Sequence, residues 1–525
     1  MSADFDIVIV GGGHNGLTAA AYLAKSGRSV LLLEQNDHLG GAAISAEAFD
    51  GVDARLSRYS YLVSLLPQRI IDDLGLSIKL VRRRYSSYTP VPGAPGSGLL
   101  VDNHDAAATA SSFARIGEPE DAAGFEKFYA KTAALARGLW PTVTEPLLTR
   151  SEARALLAND SLWNEFIEAP LNQVIERDIT GDLARGVALT DALIGTFSRA
   201  ADESLDQNRC FLYHVIGGGT GDWDVPVGGM GAVTSELAHA ARQAGATMLT
   251  DARVSSINTG SARHAPTTIT YSHDDVAITV TATWVLANVT PWVLAELLGE
   301  TPPPATRPEG AQVKVNLLLS RLPALADATV TAEQAFGGTF HINELYSQLD
   351  ETYLQAASGA IPSPLPCEIY CHSLSDPSIL SPELRAAGTQ TLTVFGLHVP
   401  HTLITRENND AMRAELQAAV LASLNSVLAE PIEGIVMTDA NGNPCIETKT
   451  TLDLEDALGM TGGNIFHGLL SWPFVEDDAD LSTAAARWGV ATPNPGILMC
   501  GAGAQRGGAV SGLGGHNAAM AIMEG

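Results

Sequence analysis

The sequence is poor in cysteine and in long apolar runs. Five cysteines among 525 residues are a small, odd number that indicates a reducing compartment. No run of about twenty apolar residues occurs, so no transmembrane segment is expected. No basic and apolar leader with a cleavage site precedes the first predicted strand, and we therefore predict a cytoplasmic protein.

Positive charge is also scarce. Lysine and arginine total 31 against 59 acidic residues, which gives a net charge of −28. Such a surface repels nucleic acid and anionic lipid headgroups, so neither is expected as a general partner. The basic run Arg82-Arg83-Arg84 is short and is interpreted as a solvated strand or loop face. Peripheral membrane contact through an apolar patch stays open, and the sequence carries no signal for the oligomeric state.

The N-terminal residues show a dinucleotide-binding pattern. An apolar strand over residues 4–10 runs into a glycine-rich turn at residues 11–16, and a helix follows. Gly11 allows the tight bend, Gly13 lets the backbone approach a pyrophosphate, and Gly16 lets the helix pack closely. The helix N-terminus adds free N–H groups and the positive end of its dipole. The pattern predicts the first half of a dinucleotide site.

A second apolar strand completes this pattern. Residues 29–33 follow the helix stop at Gly27, and the strand ends at Glu34. A carboxylate at this position accepts hydrogen bonds from an adenosine ribose and would repel a 2′-phosphate. The motif therefore predicts FAD or NAD.

Two further glycine-rich segments favour FAD over NAD. Gly40 and Gly41 follow the second strand and supply N–H groups where an extended FAD would continue past its pyrophosphate. Far along the chain, a strand over residues 496–500, a turn at 501–503 and a helix that opens at Gly512 resemble a second backbone cradle. The N-terminus of that helix, directed at the flavin pyrimidine ring, would stabilise the negative charge of a reduced flavin.

A separate NAD(P) domain is not expected, because no second strand–turn–helix unit with a ribose-binding residue follows. Cys367 and Cys371 lack both C-x-x-C spacing and a position near the dinucleotide motif. We interpret them as buried small hydrophobes rather than as a redox pair. The sequence predicts FAD as the cofactor and no metal.

Periodicity along the rest of the chain predicts two or three domains, as its length requires. Residues 105–209 show helical periodicity, whereas alternating patterns predict a hairpin over 268–282 and strands over 313–319 and 389–395. Three prolines and three glycines in residues 90–98 predict a loop. The hairpin would extend the nucleotide sheet, and the later strands would form a substrate domain.

Several of these motifs together carry a family resemblance. The motif at residues 33–41, the segment 228–231, Val254 and the terminal glycine cradle resemble the phytoene desaturase-related flavoproteins of the wider amine oxidase-like FAD superfamily. One subgroup, that of pyridine nucleotide-disulphide oxidoreductase domain-containing protein 2 and its bacterial relatives, is similar in four segments: residues 41–43, 57–66, 463–468 and 500–504.

The resemblance implies an α/β fold with a discontinuous Rossmann-type FAD-binding domain, an α+β substrate domain and a helical insertion. The sequence departs from the amine oxidases at Ala42, where an arginine often follows the double glycine, and it lacks the redox cysteines of the disulfide reductases. The implied parts are an FAD-binding domain (1–80, 216–304 and 481–525), a helical insertion or substrate cap (81–215) and a substrate domain (305–480).

Cofactor contacts follow from the resemblance position by position. Gly11, Gly13 and Gly16 would hold the pyrophosphate, and Glu34 would hold the ribose. The backbone of Val254 would meet the adenine. The turn with Gly501 and Gly503 would lie near the ribityl chain of the cofactor. The start of the last helix, with Gly512, Leu513 and Gly514, would meet the flavin ring.

A flavin accepts hydride at N5, so the protein must hold a C–H bond above that atom and exclude water. Forming C=C also removes a proton, either to a base or to water. The candidate bases are His341, His467, Lys314 and Tyr61. For each histidine the alternative is a hydrogen-bonded core residue, and for Lys314 it is a solvated side chain.

The leading hypothesis is an FAD-dependent oxidoreductase that dehydrogenates or desaturates an apolar, isoprenoid- or lipid-like small molecule by hydride transfer to flavin N5. One alternative is a redox-neutral double-bond isomerase that works with bound reduced flavin. Another is a binding or assembly protein in which FAD is a structural ligand. These alternatives differ in whether the flavin reacts with reductants and with substrate.

Overall fold

The computed structural model describes residues 4–259 and 266–525. The strands are β1 (Phe5–Val10), β2 (Val30–Leu33), β3 (Ser45–Glu47), β4 (Arg55–Ser57), β5 (Leu80–Val81), β6 (Tyr85–Val91), β7 (Ala94–Asp102), β8 (Leu148–Thr149), β9 (Val225–Pro226), β10 (Thr247–Leu249), β11 (Arg253–Asn258), β12 (Thr267–His273), β13 (Val276–Ala287), β14 (Gln312–Leu319), β15 (Thr339–Ile342), β16 (Cys367–Tyr370), β17 (Gln390–Leu397), β18 (Ile446–Lys449), β19 (Phe474–Val475) and β20 (Ile497–Met499).

Helices connect and cover these strands. The α-helices are α1 (His14–Lys25), α2 (Gln68–Leu74), α3 (Ala106–Arg115), α4 (Asp121–Leu139), α5 (Arg150–Leu157), α6 (Asp160–Trp163), α7 (Asn172–Asp178), α8 (Asp182–Thr190), α9 (Asp206–Val215), α10 (Met230–Gln243), α11 (Pro291–Leu297), α12 (Ala332–Phe336), α13 (Tyr346–Ala357), α14 (His372–Ser375), α15 (Pro382–Ala387), α16 (Asn409–Asn425), α17 (Thr451–Leu458), α18 (Ala484–Arg487) and α19 (Leu513–Glu524).

The first sheet has the order β10-β2-β1-β13-β12-β11, and β20 also pairs with β13. Its central pairs are parallel, and the β11–β12–β13 meander is antiparallel. Parallel strands buried on both faces need continuous apolar runs, and β1, β2 and the end of β13 provide them. The sheet confirms the predicted mixed α/β fold with a Rossmann-like unit, and the predicted hairpin forms within it.

Helices α1, α10 and α19 contribute to the core of this sheet, and α1 packs directly against the other two. Gly515 of α19 makes the close approach possible, because a Cβ atom there would lie 1.9 Å from the Asn15 carbonyl oxygen. The helix predicted at the end of the chain therefore packs on the helix of the dinucleotide motif.

The second sheet has the order β18-β14-β17-β16-β15-β6-β7. Its β14 strand presents Val313, Val315 and Leu317 to a core that includes Leu416 and Val420 of α16. Side chains of strand residues alternate between faces. The opposite face of β14 is therefore the one that carries Lys314 and Asn316.

One row of side chains crosses this second sheet. Lys314 pairs with Phe395, Phe395 with Glu368, and Glu368 with His341, on four neighbouring strands. Residues directly opposite each other point to the same face of a sheet. The register therefore places these four chemically distinct side chains side by side on one surface.

Helices α3 to α9 form a separate layer with its own core, which includes Phe113, Phe128, Trp163 and Phe211. The helical prediction for residues 105–209 is confirmed. The loop predicted for residues 90–98 is wrong, because most of this segment belongs to the β6–β7 hairpin at the edge of the second sheet. Among the described residues, no helix has both the length and the hydropathy needed to cross a membrane.

Candidate functional site

The glycine-rich turn between β1 and α1 adopts the compact form that its sequence predicts. The Gly11 N–H donates to the Leu33 carbonyl oxygen at 2.8 Å, and the Asn288 side chain donates to the Gly11 carbonyl at 2.9 Å. A Cβ atom on Gly16 would lie 2.2 Å from that same Gly11 oxygen. The first turn of α1 therefore requires glycine at position 16.

Glu34 is buried at the end of β2 and binds the turn through its carboxylate. The Gly12 N–H donates to Oε2 at 2.7 Å, and the Asn36 N–H donates to Oε1 at 2.8 Å. A carboxylate oxygen can accept two hydrogen bonds, so each Glu34 oxygen retains capacity for a ligand. Glu34 and Val254 line the same end of a cavity.

This first cavity has a volume of about 360 Å³. It extends from Glu34 and Val254, past Gly13 and Gly41, to Lys314 on the second sheet. The Cα atom of Gly13 would lie 3.1 Å from a Cβ atom on Gly41, whose φ is +57°. Side chains at both positions would narrow the passage, so the backbone itself forms the wall there.

Three polar atoms of residues that line the first cavity are buried and have no hydrogen-bond partner within residues 4–259 and 266–525: His14 Nε2, Asn15 Oδ1 and His467 Nδ1. Burial lowers the pKa of His14 and of His467 to about 4. Both rings are therefore neutral near pH 7. Buried polar atoms usually have partners, so these three indicate a polar ligand in the cavity.

The segment after β20 closes the cavity from the other side. Its lining residues are Ala502, Ala509 and Val510. The predicted contacts lie just behind this wall: a Cβ atom on Gly501 would lie 3.1 Å from Asn288 Oδ1, and one on Gly503 would lie 2.8 Å from Pro291.

The start of α19 packs behind the same wall. A Cβ atom on Gly512 would lie 2.9 Å from Thr18 Oγ1, and one on Gly514 would lie 2.5 Å from the Cys500 carbonyl oxygen. Leu513 is fully buried. Their direct contact with a flavin ring stays a prediction.

Arg506 fixes this glycine-rich segment in place. Its guanidinium, which is fully buried, donates to the carbonyl oxygens of Thr142, Glu145 and Trp488. Burial lowers the Arg506 pKa to about 10, so the group stays charged near pH 7. The hydrogen bonds from Arg506 to Thr142 and Glu145 therefore connect the cavity wall to the helical layer.

Lys314 is buried at the inner end of the first cavity, with 1% of its surface exposed. Its Nζ donates to the Ser57 carbonyl oxygen at 3.0 Å and lies 5.7 Å from the centre of the Tyr61 ring. Burial lowers the pKa of this amine to about 7, although Glu447 acts in the opposite direction. The alternative of a solvated lysine is excluded by this position.

An aromatic cluster stands beside Lys314. The Tyr61 ring centre lies 4.5 Å from that of Tyr370 and 4.7 Å from that of Phe395. Tyr61 lines this cavity and also a second one of about 310 Å³. The two cavities share further lining residues, namely Leu62, Ile194, His214 and Trp223.

The second cavity contains charged groups. Arg83 donates to the Trp223 carbonyl oxygen at 3.1 Å and to Thr339 Oγ1 at 3.0 Å, and its guanidinium lies 5.8 Å from the Tyr370 ring centre. The solvated position expected for Arg83 is therefore wrong. Asp191 and Glu368 line the same cavity, and burial raises the pKa of both carboxyl groups.

His341 lines the second cavity and not the first. Its Nδ1 is 3.0 Å from Thr89 Oγ1, and its Nε2 is 3.9 Å from Glu368 Oε1. The other three candidate bases, Lys314, Tyr61 and His467, line the first cavity, and Tyr61 lines both. The structure therefore brings together three of the four predicted residues.

Sequence reasoning missed Arg83, Glu344 and Glu368. Arg83 stands between two exposed arginines, and nothing in the run Arg82-Arg83-Arg84 distinguishes it from its neighbours. The two glutamates carry no local motif. Only the pairing of β15 with β16 brings them together.

Comparison with known proteins places this geometry in a wider context. The model of the NAD(P)-binding Rossmann-like domain family matches residues 9–68. An uncharacterised protein of Mycobacterium tuberculosis is 55% identical over 99% of this chain and 97% of its own length. Pyridine nucleotide-disulfide oxidoreductase domain-containing protein 2 of Rattus norvegicus is 27% identical over 100% of this chain and 94% of its own.

Solved structures show a similar fold at low sequence identity. A putrescine oxidase superposes with a TM-score of 0.58 over 99% of both chains, at 18% identity. This likeness concerns the fold alone. It agrees with the arrangement of a Rossmann-like sheet beside a second, mostly antiparallel sheet.

Proposed function

We propose that this chain, which belongs to the FAD-dependent oxidoreductase superfamily and has homology to phytoene and carotenoid desaturases, binds FAD and dehydrogenates a small organic molecule. One observation carries the proposal. A continuous cavity joins the dinucleotide turn to a buried lysine on the second sheet. A dinucleotide cofactor held there would have its adenine end at Val254 and its reactive end near Lys314.

The residues of the first cavity suit FAD. The backbone of Gly11, Gly13 and Gly16 would hold the pyrophosphate, and Glu34 would bind the ribose. The unpartnered His14 and His467 nitrogens offer further hydrogen bonds to the cofactor. The remaining proposed contacts are those of the double glycine, the adenine end and the terminal segment: Gly40, Gly41, Val254, Gly501, Gly503, Gly512, Leu513 and Gly514.

We propose that three segments, 1–80, 216–304 and 481–525, form the FAD-binding domain. They supply β1, β2, β10 to β13 and β20, which are the strands of the first sheet. Residues 305–480 would form most of the substrate domain, and 81–215 the cap. The β6–β7 hairpin of the cap segment pairs with β15 and so joins the cap to the substrate domain.

FAD, when bound, supplies the acceptor for the two electrons that leave a C–H bond. The chain would supply the proton acceptor, and Lys314 suits this role because its pKa near 7 keeps a share of the amine neutral. Its bond to the Ser57 carbonyl orients Nζ in the cavity. Tyr61 and Phe395 would exclude water around that nitrogen.

The two adjacent cavities, which share five lining residues, favour an amphipathic substrate. The lining near Tyr61 is mainly apolar, with Ile194, Phe395 and Ile465, and suits a hydrocarbon part such as that of an isoprenoid or lipid. The second cavity, with Arg83, suits a polar end group. We therefore propose that oxidation occurs in the apolar part of a molecule whose polar end lies in the second cavity.

The test begins with the anaerobic visible spectrum of the purified protein, before and after addition of NADH or NADPH. We expect the absorption bands of bound oxidised FAD. No flavin, even after FAD is supplied, would overturn the cofactor assignment. Bleaching by a pyridine nucleotide would favour a reductase or an isomerase that requires prior reduction of the flavin.

The second stage screens long-chain compounds by bleaching of the same bands. Paired compounds share a hydrocarbon chain and differ only in the presence of a polar end group. We expect bleaching by members with the end group, and a several-fold higher KM in Arg83→Met. A flavin inert to every reductant and substrate would instead favour a structural cofactor.

A further inference from the structure

Three buried side chains converge at the inner end of the second cavity. His341, Glu344 and Glu368 are 4%, 0% and 1% exposed, respectively. One donor atom of each lies within 4.8 Å of the donor atoms of the other two. His341 and Glu368 also line the cavity, so the cluster is reached from it.

The backbone fixes this convergence. His341 on β15 stands directly opposite Glu368 on β16, and Glu344 follows at the end of β15. Asn343, between them, has a φ of +59° and turns the chain. Its side chain donates to the Leu365 carbonyl oxygen at 3.1 Å, which holds that turn.

The carboxylate oxygens of the cluster retain unused electron pairs. Both carboxylate oxygens of Glu344 are buried and without a hydrogen-bond partner among the described residues. Glu368 Oε1 accepts from the Thr190 hydroxyl at 3.0 Å and Oε2 accepts from the Tyr370 hydroxyl at 2.7 Å, and each oxygen can accept one bond more. The separation of 3.9 Å between His341 Nε2 and Glu368 Oε1 is too long for a hydrogen bond.

The local charges are also unbalanced. Asp191, which is partly buried, adds a third carboxyl group that acts on both glutamates, whereas Arg83 is the cation that acts on Glu368. A buried carboxylate without a partner is strongly unfavourable unless a proton or a cation neutralises it. A divalent cation bound by Glu344 and Glu368 would neutralise both carboxylates.

We propose that His341, Glu344 and Glu368 bind a divalent transition-metal cation of the Zn²⁺ or Mn²⁺ type. One imidazole and two carboxylates form a donor set common for such ions. Ligand atoms about 2.1 Å from an ion stand about 3–4 Å apart, so donors that lie up to 4.8 Å apart must close by up to about 1–2 Å. Thr89, at His341 Nδ1, would orient the imidazole from behind.

The site would keep open coordination positions toward the second cavity, because the protein supplies only three donors. An anionic group of a bound molecule, beside Arg83, would complete the coordination. Metal binding itself needs neither FAD nor substrate. A failure of the cofactor assignment would therefore leave this proposal standing, and the reverse also holds.

The test titrates Zn²⁺ and Mn²⁺ into the purified protein after dialysis against EDTA, with calorimetry and elemental analysis of the gel-filtered product. The variants are His341→Asn, Glu344→Gln and Glu368→Gln. The matched control is His398→Asn, since His398 is equally buried and its Nδ1 also lies 3.0 Å from a threonine hydroxyl, that of Thr352.

We expect about one retained metal ion per chain, with an affinity at least tenfold weaker in Glu344→Gln and in His341→Asn. The His398→Asn variant should bind like the wild type. Absence of a stoichiometric ion in the wild type would overturn the proposal, and so would equal affinity in Glu344→Gln. If His341→Asn fails to fold, the two glutamine variants, which are nearly isosteric, still decide the result.

Discussion

The Nζ atom of Lys314 lies 5.3 Å from the centre of the Phe395 ring, directly across the β14–β17 ladder. A buried amine in this position is stable as a neutral group and as a cation over an aromatic face. Because this amine titrates near pH 7, the stability of the second sheet should depend on pH.

The pH dependence of stability should depend on Lys314. The unfolded chain holds this proton up to the ordinary lysine pKa of 10.5, whereas the folded protein releases it near 7. Unfolding between these values takes up a proton, so the free energy of unfolding rises with pH there and is constant below pH 7. The limiting slope is about 1.4 kcal/mol per pH unit.

Chemical denaturation of wild type and Lys314→Met from pH 6 to 9 measures this contribution. The wild type should gain stability relative to the variant above pH 7. Lys449→Met removes the lysine directly opposite on β18 and controls for the loss of a lysine. Parallel wild-type and Lys314→Met curves would contradict the buried titration.

Substitution of Gly16 should abolish FAD retention. In Gly16→Val the new Cβ atom would meet the Gly11 carbonyl oxygen at 2.2 Å, so α1 must move away from the turn. We expect less than about a tenth of the wild-type flavin content and a lower Tm, since the displaced backbone no longer fits a pyrophosphate. The measurement is the ratio of flavin to protein absorbance.

Gly434→Ala is the matched control, because an added Cβ atom there meets no atom within 4 Å. Full flavin content in Gly16→Val would show that the turn tolerates the displacement. The same result would remove the main support for a cofactor at this turn.

Arg506→Lys should destabilise the protein although it keeps the charge. A lysine cannot reproduce the fork that reaches the three carbonyl oxygens, so at least one buried acceptor loses its donor. We expect a loss of about 2–3 kcal/mol by urea denaturation and weaker FAD binding. Arg385→Lys on the exposed face of α15 should change neither, and an unchanged Arg506→Lys would show that the anchor is dispensable.

All five thiols should be inert in the native state. Cys210, Cys367, Cys371, Cys445 and Cys500 are free and buried, and burial raises the pKa of each thiol. The disulfide reagent DTNB should react with fewer than one thiol per chain in buffer and with five in guanidinium chloride without reductant. Fewer than five under denaturing conditions would reveal a disulfide.

The dinucleotide turn could be predicted from the sequence because the residues that form it lie close together in the chain. Gly11, Gly16 and Glu34 lie within one strand–helix–strand unit, and each residue type has one geometric reason. The burial of Lys314, in contrast, could be found only from the structure. Strand alternation separates two faces of a sheet but does not identify which face is covered by the rest of the protein.

The second cavity could not be predicted for a different reason. Its charged residues come from the segment before β6, from the end of α8, from the segment before β9 and from β16, so only the tertiary fold assembles them. The prolines and glycines of residues 90–98 also led to a wrong loop prediction. Pro95, Gly96 and Gly98 lie in the edge strand β7, and Pro90 lies in β6 beyond the residues that pair with β15, where the sheet tolerates proline. Long-range pairing decides both cases.

The strand order of the first sheet determines when its strands can pair during translation. β1 emerges first from the ribosome, yet its partner β13 follows more than half a chain later, and β20 pairs with β13 only near residue 499. Until β13 emerges, β1 has only β2 as a partner, and contacts between segments so far apart in the chain form slowly. The proposed FAD would therefore bind late, after nearly the whole sequence has been translated.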